Sequence, residues 1–302
     1  MWTDINTDMN EGSGELNINI RNTVYRSGAG VPLILLHAFP VDHRMWGECA
    51  REVIRQCDER GLEPMPVWAP DMPGAGDAPI PDDASSGPVA EDGAYAEALD
   101  RLAEAYVSML HARGFSKAIW VGLSMGGYLA LDIQRLYPGS VAGLALCDTT
   151  TAADSPQARS NRLAVGRQCV GSDTVEPVMH FASPQPGDST VKRGMDFQRL
   201  LAGWIREQTP EGVAWRERMA AGRRDMADVL ATVTAPALLV SGENDPSSPP
   251  KVMRPFVEKM MSTDSCFVAI PDCGHFSAVE RPAAVAEALV GLVAREQAGD
   301  KR

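Results

Sequence analysis

The pentapeptide Gly122-Leu123-Ser124-Met125-Gly126 constrains this chain more than any other stretch. An apolar, strand-like run, Ala118-Ile119-Trp120-Val121, enters it, and a helical pattern leaves it. Strand, sharp turn and helix are the setting in which a G-x-S-x-G sequence lifts a serine hydroxyl clear of a sheet edge, as a nucleophile elbow. The chain reverses within a few residues, so the central residue is strained and side chains two positions to either side would collide. Gly122 and Gly126 remove that collision because they lack a Cβ. The N-terminus of the departing helix faces the reacting oxygen, where its free N–H groups favour developing negative charge. A glycine-rich turn with an incidental serine would explain five residues alone. The flanking strand and helix, and partners further along the chain, favour Ser124 as a nucleophile.

A serine nucleophile needs a base and a group that orients the base. Five histidines are available: His37, His43, His111, His180 and His275. His111 falls within the helical pattern of Tyr95–Arg113 and reads as a surface residue. His180 lies in a polar, helical stretch. His37 reads as a buried histidine bonded to neighbouring loops; His43 either lines a pocket, fixes its loop or faces solvent. His275 sits in Pro271-Asp272-Cys273-Gly274-His275-Phe276, between the last strand and the last helix, at the sheet edge that carries the elbow. It is the expected base. The strand Leu238-Leu239-Val240 runs into Ser241-Gly242-Glu243-Asn244-Asp245, and Asp245 stands 30 positions before His275. Asp245 is the expected acid, in the chain order Ser, Asp, His. Two rivals are Glu243, closer to the strand end, and Asp148, which ends the strand after the elbow helix. The oxyanion needs two N–H donors. Met125, next to the nucleophile, supplies one. Phe39, in the loop His37-Ala38-Phe39-Pro40 after the apolar run Pro32–Leu36, supplies the other, since Pro40 has no N–H.

Apolar runs alternate with helical patterns over most of the 302 residues: Pro32–Leu36, Val67–Pro70, Ala118–Val121, Val141–Cys147, Pro236–Val240 and Phe267–Ile270 as strands, with a closing helix from Pro282 to Glu296. This predicts an α/β fold with a mostly parallel sheet flanked by helices. Leu16, Ile18 and Ile20 alternate with polar residues and predict a half-buried strand, with Thr23–Arg26 as its hairpin partner. From residue 149 to 233 the chain is polar and helical with no strand-like run, an expected lid inserted over the sheet's C-terminal edge, where ligands bind in open α/β sheets. The expected division is a flexible tail over 1–15, a core over 16–148 and 234–302, and a helical cap over 149–233. The loop from Pro79 to Gly93 is placed near the site entrance on composition alone. A net charge of −12 argues against a nucleic-acid partner. No run of 18 apolar residues occurs, so no membrane span is expected. The polar N-terminus lacks a signal-peptide pattern, which predicts a cytoplasmic protein. Six scattered cysteines read as free, mostly buried thiols, and no zinc cluster is seen. Monomer or homodimer is left open.

The segments Leu35-Leu36-His37-Ala38-Phe39-Pro40, Asp71-Met72-Pro73-Gly74-Ala75-Gly76, Gly122-Leu123-Ser124-Met125-Gly126-Gly127, Gly242-Glu243-Asn244-Asp245 and Gly274-His275-Phe276 together resemble the α/β-hydrolase superfamily, over roughly residues 16 to 297. Ala38 replaces the glycine usual in the oxyanion motif, a departure that would narrow the site. Within the superfamily the chain is similar to small bacterial esterases and enol-lactone hydrolases with a helical cap. The resemblance implies a serine hydrolase acting on a small-molecule ester through an acyl-enzyme on Ser124, with no metal or organic cofactor. Enol-lactone or carbon–carbon bond hydrolysis, and cofactor-free perhydrolysis, use the same three residues; a non-catalytic ligand-binding member would share only the fold. Dehalogenases and epoxide hydrolases of this fold use Asp as nucleophile, and Ser124 argues against both. Apolar cap residues such as Phe181, Phe197, Trp204 and Trp215 mostly pack the lid on the core, some forming an acyl or aryl pocket. Arg159 and Arg162 either meet a substrate carboxylate or are simply solvated.

Overall fold

The structure, a computed structural model, describes residues 17–299. Among these residues seven strands form one sheet: β1 (Arg21–Arg26), β2 (Leu33–Leu36), β3 (Val67–Asp71), β4 (Ala118–Leu123), β5 (Val141–Cys147), β6 (Ala237–Gly242) and β7 (Ser265–Ile270). Their order across the sheet is β1-β3-β2-β4-β5-β6-β7. Only β1 runs antiparallel, against β3. The strands β2, β4, β5 and β6 are buried along their whole length. A parallel strand covered on both faces has no solvent side, which is why these segments read as unbroken apolar runs. The edge strands β1 and β7 are half-exposed, and β1 is also more polar.

Seven longer helices complete the fold: α1 (Gly47–Glu59), α2 (Ala98–Ala112), α3 (Met125–Leu136), α4 (Pro156–Gly171), α5 (Met195–Arg206), α6 (Pro210–Gly222) and α7 (Pro282–Gly299). α1 packs on α7 and α2 packs on α3, so two helical pairs flank the sheet. In α1 the buried Cys49, Ala50, Val53 and Cys57 recur at helical spacing, while Glu48, Arg51, Glu52 and Arg55 pair on its outer face. Between β5 and β6 the described residues form helices and turns only, and α4 packs along α6. No helix among the described residues is long and apolar enough to cross a membrane. Five cysteines are buried free thiols; Cys266 is exposed.

The sheet order sets where a site can form. The chain goes from β2 outward to β3, then crosses back to β4 and continues away through β5, β6 and β7. The direction of winding therefore reverses between β2 and β4. Loops leaving the C-terminal ends of those two strands diverge and leave a crevice. His37–Pro40 leaves β2 and Ser124 leaves β4.

The N-terminal expectation needs correcting. Leu16 and the tail over 1–15 lie outside the described residues. Ile18 and Ile20 are partly buried against the core but are not in a strand. The strand is instead Arg21–Arg26, paired with β3 rather than with a hairpin partner of its own. The open edge of β3 offers a row of unpaired N–H and C=O groups, and pairing there satisfies both edges. Local alternation cannot register that distant partner. The helix predicted from Tyr95 begins at Ala98.

Trp120 in β4 is fully buried, and its indole N–H donates to the Ser140 carbonyl at 2.9 Å. Trp120→Ala is expected to destabilise the protein by about 3–5 kcal/mol in urea unfolding at pH 7. A loss below about 1 kcal/mol would contradict the tight packing around β4.

Candidate active site

Ser124 stands between β4 and α3 with φ 53° and ψ −112°. A non-glycine residue at positive φ is strained and persists only where its surroundings over-determine it. They do so here. The Ser124 N–H donates to Cys147 O at 2.9 Å, and Thr149 Oγ1 donates to Ser124 O at 2.7 Å. A Cβ on Gly122 would lie inside 3.0 Å of the Gly126 carbonyl, and a Cβ on Gly126 inside 3.0 Å of the Leu36 carbonyl. The second contact was not foreseen from the pattern. It packs the elbow directly against the end of β2.

His275 Nε2 lies 2.9 Å from Ser124 Oγ, and His275 Nδ1 lies 2.9 Å from Asp245 Oδ2. Asp245 in turn accepts from Ser248 Oγ at 2.6 Å and from the Ser247 N–H at 2.8 Å. Burial opposes charge on Asp245, but His275 and these donors outweigh it and hold the carboxyl below its ordinary range. Burial likewise opposes charge on His275, yet the Asp245 carboxylate wins and raises the imidazole above its ordinary value. The Ser247 and Ser248 contacts escaped sequence reasoning; the run Asp245-Pro246-Ser247-Ser248, which allows a turn back onto the carboxylate, was the available signal.

Of the three acids considered, Asp245 is the one bonded to His275. Glu243 is exposed and faces a different groove. Asp148 is fully buried, accepts from the Gly242 N–H at 2.8 Å through Oδ1, and has no hydrogen-bond partner for Oδ2. Burial and the neighbouring Asp245 charge push its carboxyl up to about 8. Its protonated form is therefore favoured at neutral pH.

Phe39 and Met125 line the same cavity as Ser124 and His275. Met125 opens α3, whose first-turn N–H groups have no acceptor within the helix. The Ala38 N–H is turned away toward Met45 Sδ at 3.1 Å. His37 lies outside the reacting group. Its Nδ1 contacts Ala38 O at 3.0 Å and its Nε2 accepts from the Met72 N–H at 2.9 Å, which ties the loop after β2 to the loop after β3. Complete burial lowers its pKa and favours the neutral ring that this pairing needs. His43 fixes its loop by contacting Asp71 Oδ2 at 2.7 Å. His111 and His180 are exposed and do not line that cavity, although the His180 ring lies against Phe181, which does. Asp42, His43 and Asp71 come close enough to share a cation, but their carboxylates are engaged by Arg44, Gln208 and His43, outside the Ser124 cavity.

The cavity is small, about 170 Å³, and is bounded by Phe39, Tyr128, Thr150, Arg162 and Phe181 besides the groups above. Phe181 meets Phe39 edge-on at 5.8 Å between centroids. The segment 79–93 does not line it. That loop is held elsewhere, through Ser86 to Trp215 and through Asp92 to Arg159. A wider groove, about 1250 Å³, lies along α2 among Glu97, Asp100 and Arg101, away from Ser124.

Residues 33–288 match the Alpha/beta hydrolase family. Among solved structures, a thermophilic esterase from Thermogutta terrifontis (malate bound) is 29% identical, with a TM-score of 0.77 over 93% of this chain and 94% of that one. The enol-lactonase from Burkholderia xenovorans LB400 is 19% identical, with a TM-score of 0.70 over 92% of this chain and 96% of that one, a likeness of fold alone. Bifunctional epoxide hydrolase 2 of Rattus norvegicus is 23% identical over 94% of this chain, which spans 55% of that protein's length.

By the raised His275 value, an NMR titration is expected to show this imidazole with a midpoint above about 6.5. Asp245→Asn should move it downward. Because the folded value is raised, the stabilisation from this pair is complete below about 6.5 and fades as pH climbs through the folded midpoint. An unchanged midpoint in Asp245→Asn would contradict the pairing.

Proposed function

The chain belongs to the alpha/beta hydrolase family, and from that premise we propose that it is a serine hydrolase cleaving small carboxylic esters through an acyl-enzyme on Ser124. One observation carries the reading: a single imidazole spans Ser124 Oγ and the Asp245 carboxylate, at 2.9 Å on each side. Ser124, Asp245 and His275 are the proposed catalytic residues, with the Phe39 and Met125 N–H groups as the oxyanion hole. The core is taken as residues 16–148 and 234–302, with 149–233 as the cap, a division supported by Arg162 and Phe181 of that segment lining the Ser124 cavity.

In this mechanism the neutral His275 takes the Ser124 proton as Oγ bonds to the ester carbonyl carbon. The carbonyl π electrons move onto oxygen, which the Phe39 and Met125 N–H groups stabilise, aided by the positive end of α3. The intermediate collapses, the bond to the alcohol oxygen breaks, and His275 gives its proton to that oxygen. A water molecule repeats the sequence on the acyl-enzyme and frees the acid. Asp245 holds the imidazole in the required tautomer and offsets its charge. The rival acid Asp148 is not hydrogen-bonded to His275, and a carboxyl pushed toward its protonated form is poorly suited to that role. The small cavity also favours a compact cyclic ester, so a lactone opened by the same groups is the second reading.

With p-nitrophenyl esters from acetate to decanoate, rapid turnover with an optimum among the short acyl chains is expected. Ser124→Ala should lose about 10⁴-fold or more in kcat, and a fluorophosphonate should label Ser124 in the wild type. Asp245→Asn should cost about 10³–10⁴-fold and Asp148→Asn less than tenfold. Full activity in Ser124→Ala would reject the mechanism; a larger loss in Asp148→Asn than in Asp245→Asn would reassign the acid. The rate should also rise with pH through the His275 midpoint, since only the neutral imidazole accepts the serine proton.

A further inference from the structure

We propose that Arg162 determines substrate specificity by binding a carboxylate carried a few bonds from the scissile carbonyl, so that the preferred substrates are half-esters of short dicarboxylic acids or lactones bearing an acid group. The inference deepens the hydrolase reading and rests on it.

Three arginines cluster where α4 meets the C-terminal end of α6, and they differ in how their donors are used. Arg159 has every nitrogen bonded: Nε and Nη2 to Asp92, Nη1 to Ala221 O. Arg223 is equally saturated by Ala152 O, Ala220 O and both oxygens of Asp154. Arg162 donates through Nε to Asp154 at 2.7 Å and through Nη1 to Glu217 at 2.8 Å. Its Nη2 has no hydrogen-bond acceptor among the described residues. Of the three, Arg162 alone lines the cavity that holds Ser124 and His275.

A merely structural tie between α4 and α6 would need neither the open nitrogen nor the place on the cavity wall. Two carboxylates hold the guanidinium rigid, so its ordering does not have to be met when a ligand arrives. They do not cancel its charge fully. Asp154 is shared with Arg223, which grips both of its oxygens, so one carboxylate is divided between two guanidinium groups. The acids nearest the nucleophile do little to repel an anion: burial and the Asp245 charge push Asp148 toward its protonated form, and Asp245 is paired with His275. A cavity of about 170 Å³ holds roughly six water-sized groups. The carboxylate and the reacting carbonyl are therefore close together in the substrate.

The test compares p-nitrophenyl hemisuccinate with p-nitrophenyl butyrate, which share a four-carbon acyl chain and differ in the terminal charge. A charged hydrogen bond of this kind is worth roughly tenfold to a hundredfold. The ratio of kcat/KM for hemisuccinate over butyrate should fall at least tenfold in Arg162→Met, mainly through KM, and recover in part in Arg162→Lys. A ratio within twofold of the wild type in Arg162→Met overturns the assignment. Should Arg162→Met fail to fold, inhibition of wild-type butyrate hydrolysis decides: succinate is expected to compete at least tenfold more tightly than succinamide, and equal inhibition overturns the assignment. Ser124-dependent butyrate turnover with a ratio insensitive to Arg162 removes this inference alone. Absence of turnover of both esters, with Ser124 unlabelled by a fluorophosphonate, overturns the hydrolase reading and this inference with it.

Discussion

The site depends on one close approach, that of the turn after β4 to the end of β2. Because Gly126 has no side chain, the Leu36 carbonyl can lie against its Cα. That contact brings two segments nearly ninety positions apart to a set separation. One carries Ser124 and the Met125 N–H; the other carries Phe39. Any side chain at Gly126 would push them apart and widen the space between the two N–H groups proposed to hold the oxyanion. His37 adds a second tie by bonding to Met72, so the β2 loop is held from the elbow and from the β3 loop together. Rigid elements thus set the position of the groups which, in the proposed mechanism, must not move when charge develops.

The remaining groups come from the other side of the crevice. Asp245 and His275 leave the C-terminal ends of β6 and β7, which pair in register over six residues from Ala237↔Ser265 to Gly242↔Ile270. Their loops therefore emerge side by side, and a hydrogen bond between them needs no long reach. Ser247 and Ser248 then fill the lone pairs that His275 leaves on Asp245. With those satisfied, the carboxylate can stay charged although buried, and the imidazole is drawn toward its protonated form.

Much of this was legible in the chain because it is local. The glycines around Ser124, the apolar runs of the central strands and the loop positions of Asp245 and His275 each follow from a few neighbouring residues. What stayed hidden depends on distant partners. The alternation of Ile18 and Ile20 suggested a strand, but the open edge of β3 selects Arg21–Arg26 instead. Arg159 and Arg162 read alike in the sequence, three positions apart on one helix. Only the fold separates them, by putting Asp92 within reach of the first and the Ser124 cavity beside the second. The protonation of Asp148 was equally out of sight, since it comes from total burial next to a second carboxyl 97 positions away.

That buried acid has a consequence for the folding equilibrium. In the unfolded chain Asp148 ionises near 4, as any exposed aspartate does. In the folded protein it keeps its proton up to about 8. Between those values folding takes up a proton at this position, so its contribution to stability declines steadily as pH rises from about 4 to about 8. Asp245, whose folded value is depressed, works in the opposite sense: its stabilisation is present above about 4 and is lost on acidification. The two neighbouring carboxyls therefore pull the optimum of stability in different directions. At neutral pH the contribution of Asp148 is therefore smaller than in mild acid, a local cost carried beside the proposed catalytic groups.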